Sequence, residues 1–198
     1  MAPILVFSVI ALGVFLERLW VLRRSQILPQ EKLEEIGALL ARKKVAEART
    51  LCQEVQTPVS SIVLAGLQVL DSPWSVIKEV MEERGKAEAL ELKKYIGLLQ
   101  TVTAVCPLLG FLGTVSGMMK VFNVISVEGL GNPGNFAAGI YEALITTVAG
   151  LSVAIPTFLA QRYLAHRSES LIHLLEEYVA HLYMLLTRIP SEARREGA

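Results

Sequence analysis

Long apolar runs divide the chain into three candidate membrane spans separated by charged stretches. The first run covers residues 1–22, the second covers 95–125 and the third covers 139–163. Each run reaches the ~20 residues that an α-helix needs to cross the hydrocarbon core of a bilayer. The pattern therefore predicts three transmembrane helices.

The polar stretches after the first and third runs also have helical periodicity. In 23–94 and 164–198, apolar residues recur every three or four positions between charged ones, which is typical of amphipathic helices. The repeating residues include Leu33, Ile36 and Leu40 in the earlier stretch and Leu171, Leu175 and Leu182 in the later one. We therefore expect a helical segment over 23–94, and a C-terminal helix and tail over 164–198 that continue the third span.

The distribution of basic residues predicts how the chain crosses the membrane. Of the 19 Lys and Arg residues, 13 lie between Arg18 and Lys94 and five lie after Ala160. Basic loops remain on the cytoplasmic side. The N-terminus is therefore expected outside and the C-terminus inside, with 126–138 as a short external loop. The fold class is an all-α integral membrane protein with long cytoplasmic helical extensions, and its many apolar stripes predict an oligomer.

Composition excludes several functional classes. The chain is 53% hydrophobic and only 19% charged, which is typical of a membrane protein, and its net charge of zero gives no basic face for nucleic acid. Cys52 and Cys106 lie in different environments, so we expect no disulfide. Three histidines, His166, His173 and His181, are too widely spaced on one helix for a metal site. With no nucleophile elbow or phosphate-binding loop, the sequence predicts no enzyme, metal or cofactor.

One carboxylate is hard to place. Residues 95–160 contain only three charged side chains, Lys120, Glu128 and Glu142, and Glu142 lies early in the third span. A carboxylate at the centre of a span costs ~2.5 to 3.5 kcal/mol on insertion scales, and such groups usually face a protein interior or an ion path. Glu142 is therefore a functional candidate. The alternative is an ordinary interfacial acid, because it lies about one turn from the external loop.

The second span has one narrow face. Pro107, Gly110, Thr114, Gly117 and Val121 follow one another at steps of three or four, so they share a side of the helix. A second pair, Gly113 and Gly117, has the GxxxG spacing of closely packed membrane helices. The face is interpreted either as a helix-packing surface or as one wall of a pore.

The third span separates its two threonines. Glu142 and Thr146 lie four residues apart on one side, whereas Thr147 shares another line with small residues, namely Ala143, Gly150 and Ala154. A small-residue line with one hydroxyl could border a pore. The alternative is packing, with each threonine bonded to a carbonyl one turn earlier.

Two segments of the chain together resemble a known family. They are Pro107-Leu-Leu-Gly-Phe-Leu-Gly-Thr-Val-Ser-Gly-Met-Met119 and Gly139-Ile-Tyr-Glu-Ala-Leu-Ile-Thr-Thr-Val-Ala-Gly-Leu-Ser-Val-Ala-Ile-Pro156. Both are similar to the motifs of the MotA/TolQ/ExbB proton channel family. The end of the first span, Glu17-Arg18-Leu19-Trp20, is similar to the ExbB and TolQ branch, and Ser116 with Met118-Met119 favours ExbB.

The resemblance implies a fold, a function and partners. It implies a homopentameric ring in the bacterial inner membrane around two copies of a single-span partner of the ExbD or TolR type, whose membrane aspartate carries the proton. The complex would use the proton motive force to energise a process such as TonB-dependent import, with a TonB-like or TolA-like protein as a further partner. The lipid bilayer surrounds the ring.

The resemblance also assigns residues. Thr114, Thr147 and Glu142 match the proton pathway. Pro107, Gly110, Gly113, Gly150 and Pro156 match family positions that shape the helices. Thr146 and Gly117 are further possible pore or helix-shaping residues because of their spacing along the spans.

Three alternative functions stay open. A TolQ-like subunit would serve envelope maintenance instead of import. A structural membrane scaffold would use the same small-residue faces for packing only and would have no ion path. A small-solute transporter is a poorer match, because three spans without an internal repeat do not suit alternating access. The coupling ion, H⁺ or Na⁺, is not determined by threonine hydroxyls.

Overall fold

The computed structural model of the protein describes residues 2–23, 27–128 and 133–187. Every regular element in these ranges is an α-helix, which confirms the predicted all-α class. In chain order the helices are α1 (Ala2–Val21), α2 (Gln30–Ala41), α3 (Val45–Val55), α4 (Pro58–Gln68), α5 (Trp74–Lys93), α6 (Ile96–Glu128) and α7 (Pro133–Thr187).

Three stretches of the described helices are long and apolar enough to cross a membrane, as the sequence predicted. They lie in α1, in Trp74–Val127 and in Phe136–Thr187, with mean hydropathies of 2.1, 1.7 and 1.9 in their apolar windows. At most 28% of each window is buried within the chain. Helices of this hydropathy in a soluble domain would be buried against a core, so these surfaces are suited to lipid or to other protein chains.

The helices extend further into the connection between the second and third spans than the sequence predicted. The expected external loop covers 126–138, but α6 continues to Glu128 and α7 begins at Pro133. Proline suits the first turn of a helix because its missing N–H would have no intrahelical acceptor there. Residues 129–132 lie outside the described part. That this connection lies on the external side of the membrane stays a prediction.

Helix α7 contains the predicted third span and continues without a break to Thr187. The sequence expected this continuation over 164–198, and the last residues of that prediction, 188–198, lie outside the described part. A compact unit is formed by Met1–Leu19 with Tyr95–Ala165, and another by the described residues of Trp20–Lys94 with His166–Ala198. We call them the first and second units.

In the first unit, the end of α1 meets the start of α6 through a buried cation. Arg18 is only 4% exposed, and its guanidinium carbon lies 4.9 Å from the centre of the Tyr95 ring. The Glu17 carboxylate lies 3.6 Å from the same guanidinium. Tyr95 has a left-handed backbone (φ 61°) at the break between α5 and α6. A desolvated cation over an aromatic ring is attracted by ~2 kcal/mol, which compensates part of its loss of hydration.

The second unit has a conventional helical core. Apolar residues at helical spacing are buried in α2 to α5 and in the later part of α7, including Leu33, Ile36, Leu40, Ile62, Leu67, Ile77, Leu171, Leu175 and Leu182. Helix α4 begins with a capping box in which Thr57 and Ser60 bond each other's backbone N–H. Gly37 of α2 lies 3.6 Å, measured from an ideal Cβ, from Leu182 of α7. Among the described residues of 23–94, the predicted helical segment contains α2, α3, α4 and α5, and its cytoplasmic location stays a prediction.

Candidate functional site

The site lies in the first unit, where α6 and α7 touch through glycines. A Cβ atom added to Gly110 would lie 3.0 Å from both the Thr146 carbonyl oxygen and the Thr147 Cα. A Cβ added to Gly150 would lie 2.6 Å from the Cys106 carbonyl oxygen. Both distances are shorter than ordinary van der Waals contacts. The two backbones approach this closely only because neither glycine has a side chain.

The same contact continues toward the other end of the spans. A Cβ at Gly117 would lie 2.7 Å from the Ala143 Cβ, and a Cβ at Gly113 would overlap the Thr146 hydroxyl oxygen. Because rising residue numbers on α6 meet falling numbers on α7, the two helices are antiparallel. Gly113 and Gly117, the pair with GxxxG spacing, face small or hydroxylated residues of α7.

Two adjacent hydroxyls of α7 reach one backbone carbonyl of α6. Thr147 Oγ1 donates to the Gly110 carbonyl oxygen at 3.1 Å. Thr146 Oγ1 lies 3.2 Å from the same oxygen and 2.7 Å from the carbonyl oxygen of Ala143 in its own helix. The sequence had placed Thr146 and Thr147 on different lines of the helix. Both nevertheless reach Gly110, because two residues that flank a very close helix contact can span it from either side.

Thr114 lies beside the contact and not in it. Its hydroxyl donates to the Phe111 carbonyl oxygen of its own helix at 2.7 Å, and its side chain is half-buried. The preceding residue, Gly113, is the one that faces Thr146. The sequence had grouped Thr114 with Gly110 and Gly117 on one face, and its place in a proton path stays a prediction.

Glu142 is exposed on the surface of this chain. Its neighbour Ala143 is buried against Gly117, and the hydrogen bonds described at the contact are those of Thr146 and Thr147. Lys120 of α6 is also exposed. The structure therefore does not bring Glu142 into the hydroxyl pair, and its predicted place in a proton path depends on what covers this surface.

The two prolines of the spans lie inside helices. Pro107 in α6 is half-buried and Pro156 in α7 is exposed. Each removes one backbone hydrogen bond from its helix, which favours a local bend. Near each proline a threonine hydroxyl bonds a carbonyl four residues earlier, Thr103 to Leu99 at 2.9 Å and Thr157 to Val153 at 2.8 Å. The acceptor of each of these hydroxyls lies in its own helix.

The groups that could support other chemistry are scattered or inert. Among the described residues no cluster of three or more His, Cys, Asp or Glu could hold a metal ion. His173 is exposed, with its Nδ1 3.5 Å from the Glu176 carboxylate. Burial raises the pKa of the Cys52 thiol to about 11, which makes it a poor nucleophile at neutral pH.

Sequence reasoning placed Val121 on this face but missed Cys106 and Gly139, which complete the contact. Cys106 contributes its backbone carbonyl, and Val121 lies so close to Gly139 that a Cβ there would overlap its methyl group. The helical spacing of Cys106, Gly110, Gly113 and Gly117 was a usable signal. It was overlooked because a backbone contact does not depend on side-chain chemistry.

The sequence of this chain is similar to those of several known proteins. A family model described as the MotA/TolQ/ExbB proton channel family matches residues 54–177. The putative biopolymer transport protein ExbB-like 3 of Synechocystis sp. is 31% identical over 159 residues, covering 79% of this chain and 76% of that protein. A putative ExbB homolog of Methanothermobacter thermautotrophicus is 33% identical over 146 residues, covering 74% and 49%. The Tol-Pal system protein TolQ of Haemophilus influenzae is 37% identical over 100 residues, covering 49% and 44%. The chain thus spans about half the length or less of two of these relatives, and the longer alignments are to proteins with ExbB names.

Proposed function

The chain belongs to the MotA/TolQ/ExbB proton channel family, and we propose that it is the ring-forming subunit of an inner-membrane proton channel of the ExbB type. In this proposal five copies surround two copies of an ExbD-like or TolR-like single-span partner. A proton passes down its gradient by way of the partner's membrane carboxyl group. The motion that results energises a periplasmic or outer-membrane process such as TonB-dependent import.

The observation that carries the proposal is the convergence of two hydroxyls on one carbonyl at the contact of two span helices. Thr146 and Thr147 place their oxygens 3.2 and 3.1 Å from the Gly110 carbonyl oxygen, within candidate membrane spans that are mostly apolar. A hydroxyl that donates one hydrogen bond keeps lone pairs that accept others. Thr147 is half-buried, so its oxygen can accept a hydrogen bond from water or from a protonated carboxyl group that approaches this face.

The exposed carboxylate of Glu142 supports the ring. In an isolated chain it would face lipid, at a cost of ~2.5 to 3.5 kcal/mol near the centre of the span. A ring can enclose this surface in a watery interior and so remove most of that cost. Elsewhere in the spans, Leu108, Phe111 and Leu112 of α6 are 66%, 65% and 62% exposed, so apolar surface remains for lipid and subunit contacts.

The membrane voltage supplies a suitable free energy. Moving one elementary charge across 100 mV releases ~2.3 kcal/mol, so one or a few protons can drive a modest conformational step. Five subunits around two helices cannot make identical contacts with both at once. This mismatch suits a stepwise motion of the partner, with the N-terminus of the chain in the periplasm and the C-terminus in the cytoplasm.

A second candidate function is a scaffold without an ion path, and one observation favours it. Thr114, Thr146 and Thr147 already donate to backbone carbonyls, as they would if they served packing alone. A TolQ-like role in envelope maintenance would use the same path and differ only in the downstream partner.

The deciding experiment measures proton flux into liposomes that contain the chain with its single-span partner. Thr147→Val keeps the side-chain shape and removes the hydroxyl, so we expect it to abolish gradient-driven flux while the complex still assembles. Thr157→Val is the matched control, because it removes an α7 hydroxyl whose hydrogen bond goes to a carbonyl of its own helix. A partner without its membrane carboxyl group should also give no flux. Full flux in Thr147→Val would refute the pore role and leave the scaffold.

A further inference from the structure

The hydroxyls of Thr146 and Thr147 compete for a single acceptor position. A carbonyl oxygen has two lone pairs. In an α-helix the carbonyl of Gly110 accepts from the N–H four residues later, which is that of Thr114. One lone pair therefore remains for two hydroxyls, whose oxygens lie 3.2 and 3.1 Å away.

Thr146 also has a second acceptor within reach. Its oxygen lies 2.7 Å from the Ala143 carbonyl oxygen, closer than to Gly110. A hydroxyl has one proton to donate. The favoured arrangement is therefore Thr146 bonded to Ala143 and Thr147 bonded to Gly110, with the other arrangement of Thr146 available by a rotation of its O–H bond.

We propose that Thr146 is a positioning residue that replaces Thr147 at the Gly110 carbonyl when the Thr147 hydroxyl turns toward the proton path. In the first state, Thr147 donates to Gly110 and can only accept a hydrogen bond from the path. In the second state, Thr146 donates to Gly110 and Thr147 is free to donate. The inference rests on the proposed function, because it concerns how the proposed path changes between proton-loaded and proton-free states.

The chemistry of a carboxyl carrier requires both states. A protonated carboxyl group donates through its O–H and needs an acceptor, whereas a carboxylate only accepts and needs a donor. Without Thr146, turning Thr147 toward a carboxylate would leave the Gly110 carbonyl without its second hydrogen bond in a water-poor helix contact. A buried polar group that loses a bond raises the free energy of that state. Thr146 lowers this penalty because it donates in place of Thr147.

Only Thr146 has the required geometry among the span threonines whose contacts are described. Thr101, Thr103 and Thr157 bond carbonyls of their own helices four residues earlier, and Thr114 bonds one three residues earlier. None of these hydroxyls bonds the opposite helix in the described structure. Gly113 provides the space, since any side chain there would overlap the Thr146 hydroxyl.

Proton flux through the complete complex with the single-span partner tests the inference. We expect Thr146→Val to lower the flux by about three- to ten-fold, where ten-fold corresponds to ~1.4 kcal/mol. Thr146→Ser keeps the hydroxyl and should restore flux to near the wild-type rate, and Thr157→Val should leave it unchanged. Wild-type flux in Thr146→Val, or equally low flux in Thr146→Ser, would overturn the inference. If Thr146→Val does not assemble, Thr146→Ala removes the same hydroxyl with a smaller side chain.

A double-mutant cycle tests the shared acceptor without reference to flux. Unfolding of the chain in detergent is compared for Thr146→Val, Thr147→Val and the double variant. Because either hydroxyl can serve Gly110, we expect each single change to shift the unfolding constant little and the double change to shift it by more than the product of the two. Strictly additive effects would overturn the shared acceptor. Wild-type flux in Thr147→Val would refute the proposed function instead. The double-mutant cycle would still decide whether Thr146 and Thr147 share the Gly110 acceptor.

Discussion

The close contact of α6 with α7 makes Gly110→Ala the sharpest test of the structure. The new Cβ would lie 3.0 Å from the Thr146 carbonyl oxygen and from the Thr147 Cα, which are backbone atoms and cannot rotate away. Ordinary contact begins at 3.4 Å, so the helices must separate by at least about 0.4 Å, the difference between the two distances. The substitution therefore changes the helix spacing and not only a side-chain rotamer.

This separation also weakens the hydroxyl pair. Adding about 0.4 Å to the 3.1 and 3.2 Å distances brings both hydroxyl bonds to Gly110 to about 3.5 or 3.6 Å, where hydrogen bonding is essentially lost. Overpacking costs ~1 to 3 kcal/mol, and the lost net hydrogen bond costs ~0.5 to 1.5 kcal/mol. Replacing a helical glycine by alanine returns ~0.5 to 1 kcal/mol. The expected net destabilisation is ~2 kcal/mol from the sum of these contributions.

The assay is detergent unfolding followed by circular dichroism, with proton flux as a second readout. Gly13→Ala is the matched control, because Gly13 lies inside α1 and a Cβ there would meet nothing within 4 Å. We expect Gly13→Ala to be as stable as the wild type or slightly more stable. If Gly110→Ala were as stable as Gly13→Ala, the close backbone contact, and with it the position of Thr147, would be refuted.

Two further predictions concern titratable groups. Glu142→Gln is expected to lower proton flux more than Lys120→Gln, because the carboxylate would face the enclosed interior of the ring; equally mild effects would favour an interfacial acid. Burial raises the pKa of Cys52 from an ordinary value of 9.0 to about 11, so the folded chain holds this proton more tightly than the unfolded chain. The free energy of unfolding should therefore be independent of this thiol below about pH 9 and should fall as the pH rises from about 9 to 11. In detergent unfolding measured across this pH range, Cys52→Ala should remove that part of the pH dependence. An unchanged slope in Cys52→Ala would contradict the buried thiol.

The elements were predictable because hydropathy and periodicity are local properties. The apolar runs at 1–22, 95–125 and 139–163 are long enough for spans, and the structure has three candidate span helices that overlap them. Helix ends were less predictable, as shown by α7, which begins at Pro133 instead of near Gly139. A glycine-rich and proline-containing stretch favours a loop in the sequence, but proline is also a good first residue of a helix.

The candidate site was predicted in composition but not in arrangement. Helical spacing placed Thr114 with Gly110 and Gly117 on one face, left open as a packing surface or a pore wall, and it separated Thr146 from Thr147. In the structure Gly113 lies in the contact, and both threonines of α7 reach Gly110. The spacing of residues along one helix gives the direction of each side chain around the helix axis only to within a wide range of angles. Which residue lies in the contact depends on where the second helix crosses.

The sequence by itself determined the helical class, the three candidate spans and the family, because these depend on local hydropathy and on motif residues in order. The tertiary structure alone decided which glycines let α6 and α7 approach, and which hydroxyls share the Gly110 carbonyl. The physical reason is that a hydrogen bond between helices depends on tenths of an ångström in backbone separation. That separation is set by the whole contact from Cys106 to Gly117, and not by any single residue of the motif.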